Sequence, residues 1–327
     1  MIDSNRQIDP LQHGAVMELK DLVKHYTQNE LPRKAYSTQE VYGAYLRTWI
    51  TPKWGTFNLS AVKPVAVETW LATLPLENSS RAKIRNIMSA IFTHAMRWEL
   101  TDHNPIKLVR QSAKRSKTPD VLTINEVNAL LKELTEPART AVFVALATGL
   151  RVSELLALKW SDVDFDNQTI TPRHGIFHQH VGGLKTEESG KPVPASEAVT
   201  DALQAWRSLS LYTGQDDYVF PSPKMGGKQP LWPCALLRKN IRPAAIRAGI
   251  KKLVGWHTLR RTLATLLVGQ GTSVKLTQEM MRHANSRITL DLYAQSNMAA
   301  KLEAQRVLLK DMVGTRRLEL LTSTVSR

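Results

Sequence analysis

Apolar residues recur at helical spacing over most of this chain, and only one stretch changes to strand-like alternation. Residues 1–16 are polar and aperiodic, which predicts a flexible N-terminal tail. From residue 17 to about residue 110 the pattern is helical throughout. Thr38 can cap TQEVYGAYLRTWI, whose Val41, Tyr45 and Trp49 fall on one face. A turn, ITPKWGTFNLSAV, then leads into PVAVETWLATL, with Pro64 at a first helical position. The longer segment SSRAKIRNIMSAIFTHAMRWEL places Ile84, Ile87, Met88 and Ile91 inside, with Arg81, Lys83 and Arg85 crowding its start. Four such helices make a small bundle. Patterning alone leaves open whether that bundle binds a ligand or dimerises.

The segment KLVRQSAKRSKTP has five basic residues, no acid and little apolar character, so residues 111–120 are predicted as a basic linker. It fits two lobes closing around a duplex, and it equally fits an ordinary tether. A second domain starts at Thr123-Ile124-Asn125-Glu126, a capping box ahead of VNALLKEL. Pro137 opens PARTAVFVALATG, which Gly149 ends, and Ser153 can cap ELLALKW. DVDFDNQTITP and GIFHQHVGGLKTEESGKPVPAS alternate like strands, predicting a short antiparallel sheet whose hairpin arm holds Lys185. AVTDALQAWRSL, CALLRKNIRPAAIRAGI and the stretch from His257 to Tyr293 return to helical spacing.

Charge narrows the choice of partner. The chain has 44 Lys and Arg against 29 Asp and Glu, a formal +15, which suits a polyanion. Between Tyr218 and Gln278 there is no acid at all, while Arg238, Lys239, Arg242, Arg260 and seven other bases lie there. Such an excess points to phosphate contact. No apolar run reaches the ~18 residues a spanning helix needs, and no apolar leader is present, so a cytoplasmic protein without membrane contact is expected. Cys234 is the single cysteine, which rules out an internal disulfide or a cysteine-based metal site. No nucleotide-binding glycine loop occurs. His178 and His180 would share a strand face, but no third ligand is evident, and Asp162, Asp164 and Asp166 read as a turn into a strand. No metal and no cofactor are expected.

What remains is a set of cationic donors and a hydroxyl. His257 and Arg260 are three apart at a helix start, where free N–H groups also favour an oxyanion. Arg151, Lys185 and Tyr293 are each unremarkable alone. Their order carries the signal: Thr148-Gly149-Leu150-Arg151-Val152-Ser153-Glu154-Leu155, Lys185-Thr186, His257-Thr258-Leu259-Arg260-Arg261-Thr262, Arg282-His283, then Tyr293. This succession closely resembles the tyrosine recombinase (phage integrase) family, from about Lys20 to beyond Tyr293.

The resemblance implies a mainly α (α+β) chain. Its parts would be a helical, SAM-like core-binding domain over 17–110, a mixed catalytic domain with a C-terminal helix over 121–312, and a tail over 313–327. It makes Tyr293 the nucleophile, Lys185 the general acid, with Lys191 on the same hairpin as the alternative, and Arg151, His257, Arg260 and His283 the phosphate-stabilising group, with Glu154 behind them. The expected DNA contacts are Arg81, Lys83, Arg85, Lys114, Arg115, Lys117, Arg238, Lys239 and Arg242. The implied partner is double-stranded DNA, held by a homotetramer on two duplexes and by a monomer or weak oligomer off DNA, in a bacterial or phage setting near the nucleoid. Arg261 stands where many relatives have a second histidine, and Met281-Arg282 replaces the usual Leu-Gly. Many integrases also carry an arm-binding domain ahead of the core-binding domain, and residues 1–16 are too few for one, so a simpler or truncated relative is expected. The same residues would serve a type IB topoisomerase, and a catalytically silent DNA-binding protein is the remaining alternative.

Overall fold

A computed structural model of the chain describes residues 17–114 and 119–283. It divides into two compact units, one up to residue 118 and one from residue 119.

The first unit is helical. Its helices are α1 (Leu19–Asn29), α2 (Tyr36–Tyr45), α3 (Thr51–Trp54), α4 (Pro64–Thr73) and α5 (Asn78–Arg97). The apolar stripe of α5 turns inward as its spacing predicts, with Ile84, Ile87, Met88 and Ile91 fully buried. They pack with Leu22, Tyr26, Ile50, Trp54 and Leu71 into one core. The expected break after Ile50 does not occur. A π-helical turn, Leu46–Ile50, carries the chain from α2 straight into α3. Ala35, and not Thr38, is the N-cap residue of α2. The inward residues there are Leu46 and Ile50, with Val41, Tyr45 and Trp49 only half-buried.

The second unit holds α6 (Ile124–Glu133), α7 (Ala138–Thr148), α8 (Val152–Leu155), five short strands, then α9 (Glu197–Leu209), α10 (Pro233–Leu236), α11 (Arg242–Arg247), α12 (Trp256–Gly269) and α13 (Val274–Met280). The Thr123/Glu126 capping box forms as its sequence dictates: Thr123 Oγ1 accepts from Glu126 N, and Glu126 Oε2 accepts from Thr123 N at 2.7 Å. Gly149 ends α7 at φ +64°, a conformation glycine takes without a Cβ penalty. α8 is a single turn with Arg151 as its N-cap, so Ser153 lies inside the helix and does not cap it.

The strand region splits into two sheets. β1 (Val163–Asp164), β2 (Thr169–Ile170) and β5 (Val193–Pro194) form one antiparallel sheet in the order β1-β2-β5. β3 (Gly175–Phe177) and β4 (His180–Gly182) form a separate hairpin. His178 and Gln179 make its two-residue turn with φ +47° and +63°, so His178 is not on a strand beside His180. Lys185 follows β4 and lies outside both sheets. A second π-helical turn, Leu237–Ile241, links α10 to α11.

Both π-helical turns stand immediately before an X-Pro pair, Thr51-Pro52 and Arg242-Pro243. Thr51 N–H donates to Leu46 O, and Arg242 N–H to Leu237 O, each reaching five residues back. Proline has no N–H and its ring crowds the carbonyl four residues earlier. The widened turn makes room for that ring and lets the helix run on. No helix among the described residues is long and apolar enough to cross a membrane.

Candidate functional site

Three segments far apart in sequence converge in the second unit. The first is the α7–α8 junction. Gly149 turns the chain there, leaving its carbonyl and the Arg151 side chain facing the end of α13. A Cβ at residue 149 would come within 3.0 Å of Leu263 Cδ2 and 3.1 Å of Met281 Sδ, so the close approach requires glycine. The second segment is the start of α12. Trp256 Nε1 donates to Pro233 O at 3.1 Å, and Leu122 N donates to Thr262 Oγ1 at 2.9 Å, which together fix this helix. The third is Met281-Arg282-His283 after α13, where Arg282 adopts φ +48°.

Arginines from all three meet there. Arg260 is buried, and its two Nη groups donate to Gly149 O and Met281 O. Arg151 donates through Nη1 to Glu154 Oε1 (2.9 Å) and Ser189 Oγ (2.8 Å), and through Nη2 to Arg282 O (3.3 Å). Arg282, only 2% exposed, donates to Ser189 O at 2.5 Å and to Glu154 Oε2 at 2.6 Å. Two guanidiniums thus share the buried Glu154 carboxylate and a third, Arg260, lies beside them on backbone carbonyls, leaving a local excess of two positive charges. Such an excess out of water is costly unless an anion compensates it.

The ionisation of the cluster follows the same logic. Burial would raise the Glu154 carboxyl, but Arg282 and then the Arg151 backbone N–H and guanidinium override it and hold it below the usual range. Burial, then Arg151, pushes Arg260 down to about 9. Burial, then Arg260 and Arg151, pushes His283 down to about 4, so its imidazole is neutral at neutral pH. His283 is buried, and Gln278 holds its backbone on both sides, each contact 3.1 Å.

The remaining sequence-based site residues are placed as follows. His257 is exposed on the first turn of α12, although Arg260 one turn on points inward. Lys185 is exposed, and the next residue, Thr186, shares a 3.0 Å hydroxyl contact with Ser189. That contact links the Lys185 segment to Arg151 through Ser189. Lys191 is ion-paired with Glu188 at 2.7 Å, which raises its pKa. Tyr293 lies outside the described residues.

Among the expected DNA contacts, Lys83, Lys114, Arg238, Lys239 and Arg242 are exposed. Arg81 donates to Leu74 O at 2.6 Å and Arg85 to Lys107 O at 3.4 Å, so both also brace their own unit. Arg115 and Lys117 lie outside the described residues. The acid-free window is not acid-free in space, since Arg247 pairs with Glu133 and Lys252 with Glu126. Sequence reasoning missed Ser189, which no pattern marks, and the inward role of Arg282, whose only signal was an arginine beside His283. Among the described residues no group of three or more His, Cys, Asp or Glu could hold a metal ion.

Comparison with known proteins places the arrangement. The model of the phage integrase family matches residues 120–300, more than half of the chain. A tyrosine recombinase of Pseudothermotoga lettingae is 26% identical over 65% of this chain and 70% of its own length. Tyrosine recombinase XerC of Pediococcus pentosaceus is 27% identical over 84% of this chain and 92% of its own. Among solved structures, the Tn1549 transposon integrase in complex with a circular intermediate DNA superposes with a TM-score of 0.70, at 19% identity, over 89% of this chain and 99% of that one, which shows a shared fold. The chain therefore belongs to the phage integrase family of tyrosine recombinases, DNA strand-transferring enzymes of site-specific recombination.

Proposed function

We propose that this chain cleaves and rejoins double-stranded DNA through a 3′-phosphotyrosine formed at Tyr293, using side-chain donors in place of a metal or nucleotide. One observation carries the reading. Arg260 and Arg151 donate to the adjacent carbonyls of Met281 and Arg282, directly before His283. One buried guanidinium fork, one half-buried fork and an imidazole are thereby held within one small cluster, although 131 positions separate Arg151 from Arg282.

A phosphodiester entering this cluster supplies the anion that its charge excess lacks. Attack on phosphorus gathers negative charge on the non-bridging oxygens, where arginine forks match the geometry. A tyrosine hydroxyl ordinarily ionises near pH ~10, so His257 accepts its proton as the Tyr293 oxygen bonds to phosphorus. The phosphorus–O5′ bond breaks, and Lys185 protonates the departing 5′-oxygen. Lys191 is already engaged by Glu188, which favours Lys185 for this step. Neutral His283 is a hydrogen-bond donor to the phosphate and adds no charge. One phosphodiester is exchanged for another, so no external energy source is required. The exposed Lys83, Arg238, Lys239 and Arg242 suit backbone phosphates along the duplex. Rejoining to a second strand requires a homotetramer on two duplexes, assembled from monomers or weak oligomers on DNA at the nucleoid.

Incubation with a nicked suicide duplex tests this. Wild type should give a covalent DNA adduct, and Tyr293→Phe should bind the duplex but give none. An adduct that persists in Tyr293→Phe overturns the assignment of the nucleophile. Relaxation of supercoiled plasmid lacking a recombination site would favour topoisomerase action instead.

A further inference from the structure

Arg282 is the least expected member of the cluster. It is almost fully buried, and its backbone sits at φ +48°, where side chains with a Cβ are uncommon. Burial of the guanidinium and the left-handed backbone both oppose this placement, so the contacts it makes must offset both. Its side chain makes two, to Glu154 Oε2 at 2.6 Å and to Ser189 O at 2.5 Å.

Each of those acceptors also serves Arg151. Glu154 takes the Arg151 side chain through its other oxygen and the Arg151 N–H through Oε2 at 3.0 Å. Ser189 takes Arg151 through its hydroxyl, and that hydroxyl meets Thr186, the residue after Lys185. The Arg282 charge is the largest single influence keeping Glu154 ionised, ahead of each separate contribution from Arg151.

We infer that Arg282 is a positioning residue for strand cleavage: by spanning Glu154 and the Ser189 carbonyl it fixes Arg151 and the turn that follows Lys185. It also compensates the Glu154 charge, so that the charge of Arg151 is left to face phosphate. Without Arg282, Glu154 and Arg151 form a closed ion pair, and the Ser189 turn keeps only its hydroxyl contact with Arg151 as a tie to the α8 start. The inference rests on the strand-transfer reading above.

The test is the rate of covalent adduct formation on the suicide duplex, together with duplex affinity. Glycine takes the residue-282 backbone without strain, so Arg282→Gly removes the side chain alone. We expect cleavage to slow by about a hundredfold, as misplaced catalytic groups do, with duplex affinity unchanged. Because Arg282 acts through Glu154, adding Arg282→Gly to Glu154→Gln should cost far less than adding it to wild type. Arg282→Lys, which keeps the charge but cannot span both acceptors, covers the case where the glycine variant does not fold. It should cleave more slowly than wild type and bind equally well. A wild-type rate in either Arg282 variant, or full multiplicative loss in the double variant, overturns the inference. A wild type that forms no adduct overturns the strand-transfer reading instead.

Discussion

The two units bury different things. Among the described residues the first buries only His94 and Asn104 as polar side chains. Asn104 is fully engaged, donating to Ser89 and Thr93 and accepting from Ile106 N, while His94 meets His25 at 2.9 Å. The second unit buries Glu154, Arg260, Arg282 and His283 against its apolar core. The first interior is therefore assembled for cohesion and the second stores charge. A protein keeps unbalanced buried charge where a ligand will complete it, so reactivity and stability should separate along this division.

The largest expected effect is on cleavage. Arg260→Ala should slow covalent adduct formation by about a hundredfold to a thousandfold, while gel-shift affinity for the duplex holds. Equal losses in rate and affinity would mean that Arg260 binds substrate without favouring the transition state. The reverse pattern is expected in the first unit. Ile87→Ala removes fully buried apolar volume and should cost about 2–5 kcal/mol in urea unfolding, with the cleavage rate of the folded fraction unchanged. A cleavage defect in folded Ile87→Ala would erase the division.

The most gradual effect is a pH dependence. His283 is held at about 4, below the ordinary histidine value of 6.5, so its contribution to stability is complete above pH 6.5 and is lost as pH falls toward 4. The loss should approach about 3 kcal/mol, and His283→Asn should abolish it in urea midpoints followed from neutral pH downward. His94 titrates in the same direction, because burial and then His25 lower it. His94→Phe is therefore the matched control, and it should leave the second unit's acid response intact.

Much of this was legible beforehand, because it depends on neighbours in sequence. The Thr123/Glu126 cap, the inward stripe of α5 and the left-handed Gly149 are set within a turn or two of chain. The candidate site residues were read from their order and not from any local pattern, and the fold brings Arg151, Glu154, Arg260 and His283 of that set together. Several of the failures share one physical source, which is partners remote in sequence. Arg247 and Lys252 looked unopposed until the fold brought Glu133 and Glu126 to them across 114 and 126 positions. Pro52 signals a helix break locally, yet a widened turn carries the helix through, as it does at Pro243 inside a segment already read as helical. Arg282 reads as a surface residue until Glu154 is set beside it.

Gly149 carries a wider consequence. A methyl group at that point would have to displace Leu263 and Met281 together, on top of the left-handed backbone. Any larger residue there must therefore shift side chains of both α12 and the segment beside His283. A side chain at this one position would thus reach the candidate site by way of its supports, without touching any of its donors.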